Sequence, residues 1–256
     1  MALQDLSPGL KLIILMNSQA ESILFIGSGE WSQKVSDIIV ASGSRLEPVV
    51  ISARNFLSTE KQALPEGWKL EEFNFIWITT FPDMQLKILE KLQSLDSKIV
   101  LEKPIALTLE DIQKLRSIIP KMKSSVYLSE PWTFSKLWES ALAQIVRNSK
   151  NLEINAFRVG ELERVSISPS LDWSPHDLYL LASLMQAKEL EMGSLELLSS
   201  RGSPEEVLLD YQVGEAVRVN LQAGKSDSRR AYWRISVGDQ NSLEIDFDSK
   251  KITKKE

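Results

Sequence analysis

The sequence of 256 residues contains no cysteine and only one histidine. The missing cysteines exclude disulfides, thiolate metal ligands and a cysteine nucleophile, and a single histidine argues against zinc chemistry. We therefore predict no metal site. The absence of cysteine also fits a reducing compartment, so we expect a cytoplasmic protein.

A surplus of positive charge and long apolar runs are also missing. There are 30 Lys and Arg residues against 35 Asp and Glu, a net charge of −5, which does not provide the basic surface typical of nucleic-acid binding. No run approaches the roughly 18 to 20 apolar residues that span a bilayer, and the run from Leu12 to Met16 lacks the basic start of a secretory signal. We expect a globular protein whose partners are neither nucleic acid nor membrane.

Two patterns of secondary structure follow one another along the chain. From Ser22 to about residue 130, short apolar runs alternate with segments of helical period, which predicts βαβ units around a parallel sheet. After that, strand-like alternation dominates, with helical stretches at 134–146 and 176–185 and four final lysines that we interpret as a solvated tail. The predicted fold class is α/β: a Rossmann dinucleotide-binding domain (1–130), then an α+β domain with an open, mainly antiparallel sheet (131–256).

A glycine-containing segment joins the first predicted strand to the first predicted helix. Its candidate cofactor-binding residues are Gly27, Ser28, Gly29, Glu30 and Trp31. Gly27 would allow a tight turn, Gly29 would let the backbone approach a diphosphate, and the helix N-terminus would offer free N–H groups. Ser32 replaces the third glycine of the dinucleotide fingerprint, at a position that needs only a small side chain. The alternative is an ordinary strand-to-helix turn.

The end of the second predicted strand bears on the choice of cofactor. About 20 to 25 residues past the glycines, NAD-binding proteins carry an acidic residue for the ribose 2′-hydroxyl. This chain has Ser52, Ala53 and Arg54 there. A hydroxyl and a guanidinium can bind a 2′-phosphate that a carboxylate would repel, so we predict NADP, with NAD as the second choice. The alternative to a 2′-phosphate ligand is that Arg54 is simply a surface loop residue.

The segment Glu102-Lys103-Pro104 follows the fourth predicted strand at the sheet edge where ligands of such folds bind. Hydride transfer at a carbon that bears oxygen needs a group to move the hydroxyl proton, and a partly desolvated lysine suits that work. Glu102, Lys103 and Thr80, which ends the third strand, are therefore further cofactor-site candidates. The alternative is that Lys103 is a solvated loop residue.

The only histidine, His176, is predicted to lie in the first turn of a helix. Ser174 would be the N-cap, Pro175 the first helical residue and Asp177 the capping-box partner. Asp172 is near enough in sequence to orient the imidazole. The alternative is a structural histidine.

These segments together resemble the Gfo/Idh/MocA family, which is named after glucose-fructose oxidoreductase and inositol dehydrogenase. Residues 102–104 match its Glu-Lys-Pro signature, and Asp172 to His176 is similar to its Asp-x-Gly-x-His element, with Ser174 in place of the glycine. Gln85 stands where histidine is common in the family. The resemblance covers nearly the whole chain.

The resemblance implies an NAD(P)-dependent oxidoreductase acting on a sugar-like, cyclitol or related carbonyl substrate. It implies that Lys103, His176 and Asp172 are catalytic, handling the proton and orienting the substrate, with a cis peptide bond before Pro104. It also implies a homodimer or homotetramer formed through the C-terminal sheet. The alternatives are a degenerate member that senses a cofactor or sugar nucleotide, and a scaffold that binds no cofactor.

Overall fold

The computed structural model describes residues 22–58, 64–148, 151–160, 167–203, 205–237 and 241–255. The apolar run from Leu12 to Met16 lies outside these ranges. The chain divides after Pro131 into two compact units, each built on its own sheet. Within the described residues, no helix has both the length and the apolar character required to cross a membrane.

The first unit is built on a five-stranded parallel sheet with strand order β2-β1-β3-β4-β5. The strands are β1 Ser22–Ile26, β2 Glu47–Ile51, β3 Phe75–Ile78, β4 Lys98–Leu101 and β5 Ser125–Leu128. The chain places β2 on one side of β1 and β3 on the other. The carboxyl ends of β1 and β3 therefore flank the topological switch point, where open α/β sheets bind ligands.

Helices cover both faces of this sheet, so its central strand β3 is buried throughout. The helices are α1 Glu30–Ala41, α2 Ala53–Ser58, α3 Pro82–Lys91 and α4 Leu109–Ile118. Alternate residues of β1 enter separate apolar clusters: Leu24 packs in one and Phe25 in the other. This arrangement confirms the predicted parallel α/β half.

The second unit is built on a seven-stranded mixed sheet with order β12-β11-β10-β6-β9-β8-β7. The strands are β6 Leu152–Gly160, β7 Leu195–Gly202, β8 Glu206–Val213, β9 Val217–Lys225, β10 Arg230–Val237, β11 Asn241–Asp246 and β12 Lys251–Lys255. All neighbours pair antiparallel except β6 and β9, which are parallel. The predicted mainly antiparallel sheet is confirmed.

Helices α5 Lys136–Asn148, α6 Pro169–Asp172 and α7 Ser174–Ala187 belong to this unit. Trp138 of α5 and Leu181 of α7 are buried in the same apolar cluster as Ile154 and Trp233 of the sheet. Phe157 and Tyr232, which lie between these inward positions along their strands, stack with ring centroids 5.0 Å apart. One face of the sheet therefore forms the core, and alternate residues form the other face.

The interpretation of the final lysines as a solvated tail is wrong for residues 251–255. They form β12, which pairs with β11 at the edge of the sheet. An edge strand needs little apolar surface because backbone hydrogen bonds hold it, and lysine is common on such edges. Strand β7 was not predicted either, since most of its side chains are exposed and it shows little alternation.

Candidate active site

The turn after β1 requires glycine at its first position. Gly27 has φ of +139°, and its N–H donates to the carbonyl of Ile51 at 2.8 Å. A Cβ atom built on Gly27 would overlap with the backbone of Thr79, the residue that follows β3. Gly27 therefore lets the ends of β1, β2 and β3 meet closely, and the close approach of Thr79 had no signal in the sequence.

Gly29 differs from Gly27 because the space beside it is open. It is the N-cap of α1 with φ of −78°, which any residue can adopt, and a Cβ atom built there would meet nothing within 4 Å. The first N–H groups of a helix lack partners within the helix and carry its positive dipole end. The neighbouring Ser28 and Glu30 are exposed. This open cradle at a helix N-terminus fits a diphosphate group.

Glu102 connects the glycine turn to the segment that carries Lys103. Its Oε1 accepts hydrogen bonds from Nε1 of Trp31 and Nε1 of Trp77, both at 2.9 Å. Burial raises the pKa of the Glu102 carboxyl, while the hydrogen bonds from Trp31, Ser129 and Trp77 and the charge of Lys103 act against that rise. The carboxylate is thus held by protein donors, and its contact with a cofactor stays a prediction.

The lysine segment lies at the same sheet edge. Lys103 is half-buried, and the Lys103–Pro104 peptide bond is cis, which confirms the expectation for this turn. The buried amide of Gln85 places Nε2 2.9 Å from the Thr80 carbonyl oxygen and 3.0 Å from that of Glu102. Sequence reasoning marked Gln85 only as a departure from the family and missed this contact.

Ser52 and Arg54 also lie at this edge, because they follow β2 and β2 pairs with β1. The Ser52 hydroxyl accepts a hydrogen bond from the backbone N–H of Asn55 at 3.1 Å, and Arg54 is exposed. The structure therefore brings the predicted cofactor residues of the first unit to the carboxyl ends of four neighbouring strands. Across the described ranges, no cluster of three or more His, Asp or Glu residues could hold a metal ion.

The second unit contains Asp172 and His176. Asp172 ends α6 and is half-buried, and His176, which is 9% exposed, lies in the first turn of α7. The capping prediction is wrong: α7 begins at Ser174, Trp173 is its N-cap, and no side chain caps the helix. The physical reason is that the carboxylate of Asp177 has stronger partners on the sheet.

Those partners are Arg158 of β6 and Trp233 of β10. Nε and Nη2 of Arg158 donate to the two carboxylate oxygens of Asp177 at 2.8 and 2.9 Å, and Nε1 of Trp233 donates to Oδ1 at 2.8 Å. Arg158 and Asp177 are each 1% exposed. This two-pronged ion pair fixes the turn that carries His176 to the sheet. The only sequence signal was an arginine within an apolar strand.

Together, the two units have a recognisable architecture: an open parallel sheet with a glycine turn at its switch point, followed by a mixed sheet. No protein-family model matches the chain. No curated protein matches it either. Solved structures, in contrast, match over most of its length.

A Gfo/Idh/MocA family oxidoreductase from Vibrio cholerae matches with a TM-score of 0.61 and 14% identity, over 91% of this chain and 81% of its own. UDP-N-acetylglucosamine 3-dehydrogenase GnnA from Acidithiobacillus ferrooxidans has a TM-score of 0.66 at 14% identity, over 91% and 79%. A mutant of KijD10, a 3-ketoreductase from Actinomadura kijaniata in complex with TDP-benzene and NADP, has a TM-score of 0.69 at 9% identity, over 90% and 76%. The chain has the fold of Gfo/Idh/MocA oxidoreductases, as its sequence resemblance implied.

We predict that Arg158→Met destabilises the protein by about 3–5 kcal/mol, because it leaves the Asp177 carboxylate buried without its counter-ion. The free energy of unfolding in urea measures the loss. Arg234→Met is the matched control: Arg234 lies on β10, half exposed, 2.9 Å from Glu244, and such a surface pair contributes about 0–1 kcal/mol. Equal losses in the two variants would contradict the assigned role of the buried pair.

We predict a pH-dependent effect of Glu102→Gln on stability. The folded state raises the pKa of Glu102 above its ordinary value of 4.5, so the wild-type protein loses stability as pH rises through that higher pKa. The glutamine variant lacks this loss, so its stability relative to the wild type should rise over the pH range above the ordinary pKa of 4.5. Urea midpoints across this range measure the gain. Glu71→Gln, at an exposed position, should run parallel to the wild type.

Proposed function

We propose that this protein is an oxidoreductase that transfers a hydride between a nicotinamide cofactor, NADP in preference to NAD, and a sugar-like substrate. The observation that carries the proposal is the open cradle beside Gly29 at the N-terminus of α1, on the same sheet edge as Lys103. Its fold neighbours favour the same class, since they include a dehydrogenase and a ketoreductase.

Four groups of this chain would hold the cofactor. The backbone N–H groups of the first turn of α1 would bind the diphosphate, and the Trp31 indole, 44% exposed and tied to Glu102, would form one wall of the cradle. The hydroxyl of Ser52 and the guanidinium of Arg54 would bind the 2′-phosphate. The bound nicotinamide supplies the hydride acceptor, or the donor in the reverse direction.

Lys103 is the proton-handling group of the proposal. In the oxidation of an alcohol, Lys103 would accept the proton of the substrate's O–H group, and in the reverse reaction it would return that proton. In the second unit, His176 and Asp172 are the proposed substrate-orienting residues. The ion pair beneath α7 would keep the His176 turn in place during that work.

The names of two fold neighbours indicate the substrate class. One is a UDP-N-acetylglucosamine 3-dehydrogenase, and the other is a 3-ketoreductase in complex with TDP-benzene and NADP. We propose a sugar or sugar nucleotide for this chain. We also propose a cytoplasmic homodimer or homotetramer associated through the sheet of the second unit.

We predict that the wild-type protein binds NADPH with micromolar affinity, and that Gly29→Asn weakens this binding about tenfold or more by filling the cradle. Asparagine is a favourable N-cap, so the thermal stability of the variant should equal or exceed that of the wild type. Quenching of tryptophan fluorescence during titration measures the affinity. Failure of both NADPH and NADH to bind the wild type below about 1 mM would remove the proposal.

The same titration tests the choice of cofactor. Arg54→Gln keeps a polar side chain but removes the positive charge, so it should weaken NADPH binding and leave NADH binding unchanged. Equal loss for both nucleotides would place Arg54 outside the 2′-phosphate site.

We predict that Lys103→Met abolishes turnover and leaves NADPH affinity within about twofold of the wild type, since the variant loses only the proton-handling group. The assay follows NADPH formation from NADP with UDP-N-acetylglucosamine, UDP-glucose, glucose and myo-inositol. Retained activity would exclude Lys103 from the mechanism. A wild-type protein that binds NADPH but turns over none of these favours the alternative of a cofactor or sugar-nucleotide sensor.

A further inference from the structure

Gln85 is a polar residue on the buried side of a helix. It lies in the first half of α3, where its neighbours on the inner face, Leu86, Ile88 and Leu89, are apolar, and it is 1% exposed. A buried amide costs stability unless it is hydrogen-bonded, so its partners show what it does.

The nitrogen of this amide binds two separate backbone segments. Nε2 lies 2.9 Å from the carbonyl oxygen of Thr80, 3.0 Å from that of Glu102 and 3.4 Å from that of Pro104. Thr80 follows β3, whereas Glu102 and Pro104 are the residues on either side of Lys103. The Gln85 nitrogen therefore holds the backbone on both sides of Lys103 against the loop after β3.

The orientation of the amide follows from these contacts. Rotating the group by half a turn would bring its oxygen against three carbonyl oxygens, which repel it. In the orientation observed, no described residue donates to the buried Oε1 of Gln85. The Gln85 side chain thus forms its hydrogen bonds through Nε2, so its contribution to the turn is donation to the backbone carbonyls.

A second set of contacts holds the same turn by its side chain. The Glu102 carboxylate accepts hydrogen bonds from Trp31 and Trp77, and the Glu102 N–H donates to the Ile78 carbonyl at 3.3 Å. Lys103 therefore stands on a turn that is held through side chain and backbone. The indole contacts fix the carboxylate, whereas Gln85 reaches the backbone carbonyls of both Glu102 and Pro104.

We propose that Gln85 is a positioning residue for Lys103, acting through the carbonyls of Thr80, Glu102 and Pro104. The proposal deepens the proposed function, on which it rests, because the value of a fixed Lys103 lies in proton transfer. Gln85 itself touches neither substrate nor cofactor in this role. A displacement of about 1 Å at a catalytic group can lower the rate about 100-fold, so a fixed backbone at this turn matters.

The test compares three variants of Gln85. Gln85→Met keeps the approximate shape without a donor, Gln85→Glu places an acceptor against three carbonyls, and Gln85→His retains an N–H donor. The methionine and glutamate variants should lower kcat about 10- to 100-fold, with NADPH affinity and substrate KM within about twofold of the wild type. The histidine variant should recover most of kcat.

A second measurement does not need turnover. Competitive labelling of lysines with trace acetic anhydride, read by peptide mass spectrometry, gives the reactivity of each lysine in the whole protein. Lys103 should label faster in Gln85→Met than in the wild type, because a turn released from its carbonyl contacts exposes the half-buried lysine. The other lysines should not change.

Ser97→Ala is the matched control. The Ser97 hydroxyl is also buried and donates to a backbone carbonyl, that of Phe73 at 2.8 Å, but it precedes β4 whereas Lys103 follows it. This variant should lose stability without a change in kcat or in Lys103 labelling. A folded Gln85→Met protein with wild-type labelling of Lys103 and wild-type kcat would overturn the proposal. Failure of the wild type to bind both NADPH and NADH would instead remove the proposed function, and the labelling would still decide the role of Gln85.

Discussion

The candidate site of the first unit depends on the hydrogen bonds that the Glu102 carboxylate accepts. The carboxylate accepts them from the indoles of Trp31 and Trp77, and so joins the start of α1, strand β3 and the turn that carries Lys103. Burial opposes its charge, and the hydrogen-bond donors with the neighbouring lysine favour it. The Glu102 carboxylate connects the cradle to the lysine turn. A change in either would therefore disturb the other.

The second unit uses a buried charge in a comparable way. Two hydrogen bonds join Arg158 to Asp177, and Trp233 adds a third to the carboxylate. Burying such a pair costs desolvation energy, so its stabilising effect depends on this geometry. In both units, a carboxylate next to a candidate functional residue is held by side chains from other elements. The two units thus achieve local rigidity by the same physical means.

Much of the fold followed from local patterns. The alternation of apolar runs with helical segments predicted the parallel sheet that the structure shows. Gly27 and Lys103 could be assigned to one sheet edge because parallel strands end on the same side. Strand β12 was not predicted, because an edge strand is held by backbone hydrogen bonds and these depend little on side-chain type.

Local sequence patterns were enough to predict most strands and helices, the glycine turn and the lysine segment, because each depends on residues close together in the chain. Chain packing set which polar groups meet: Trp31 and Glu102 are 71 positions apart, and Arg158 and Asp177 are 19 apart. For the same reason, Asp177 forms an ion pair, although its position in the sequence predicted a helix cap. Periodicity and capping report local geometry, whereas a buried charge takes whichever partner the packed core brings to it.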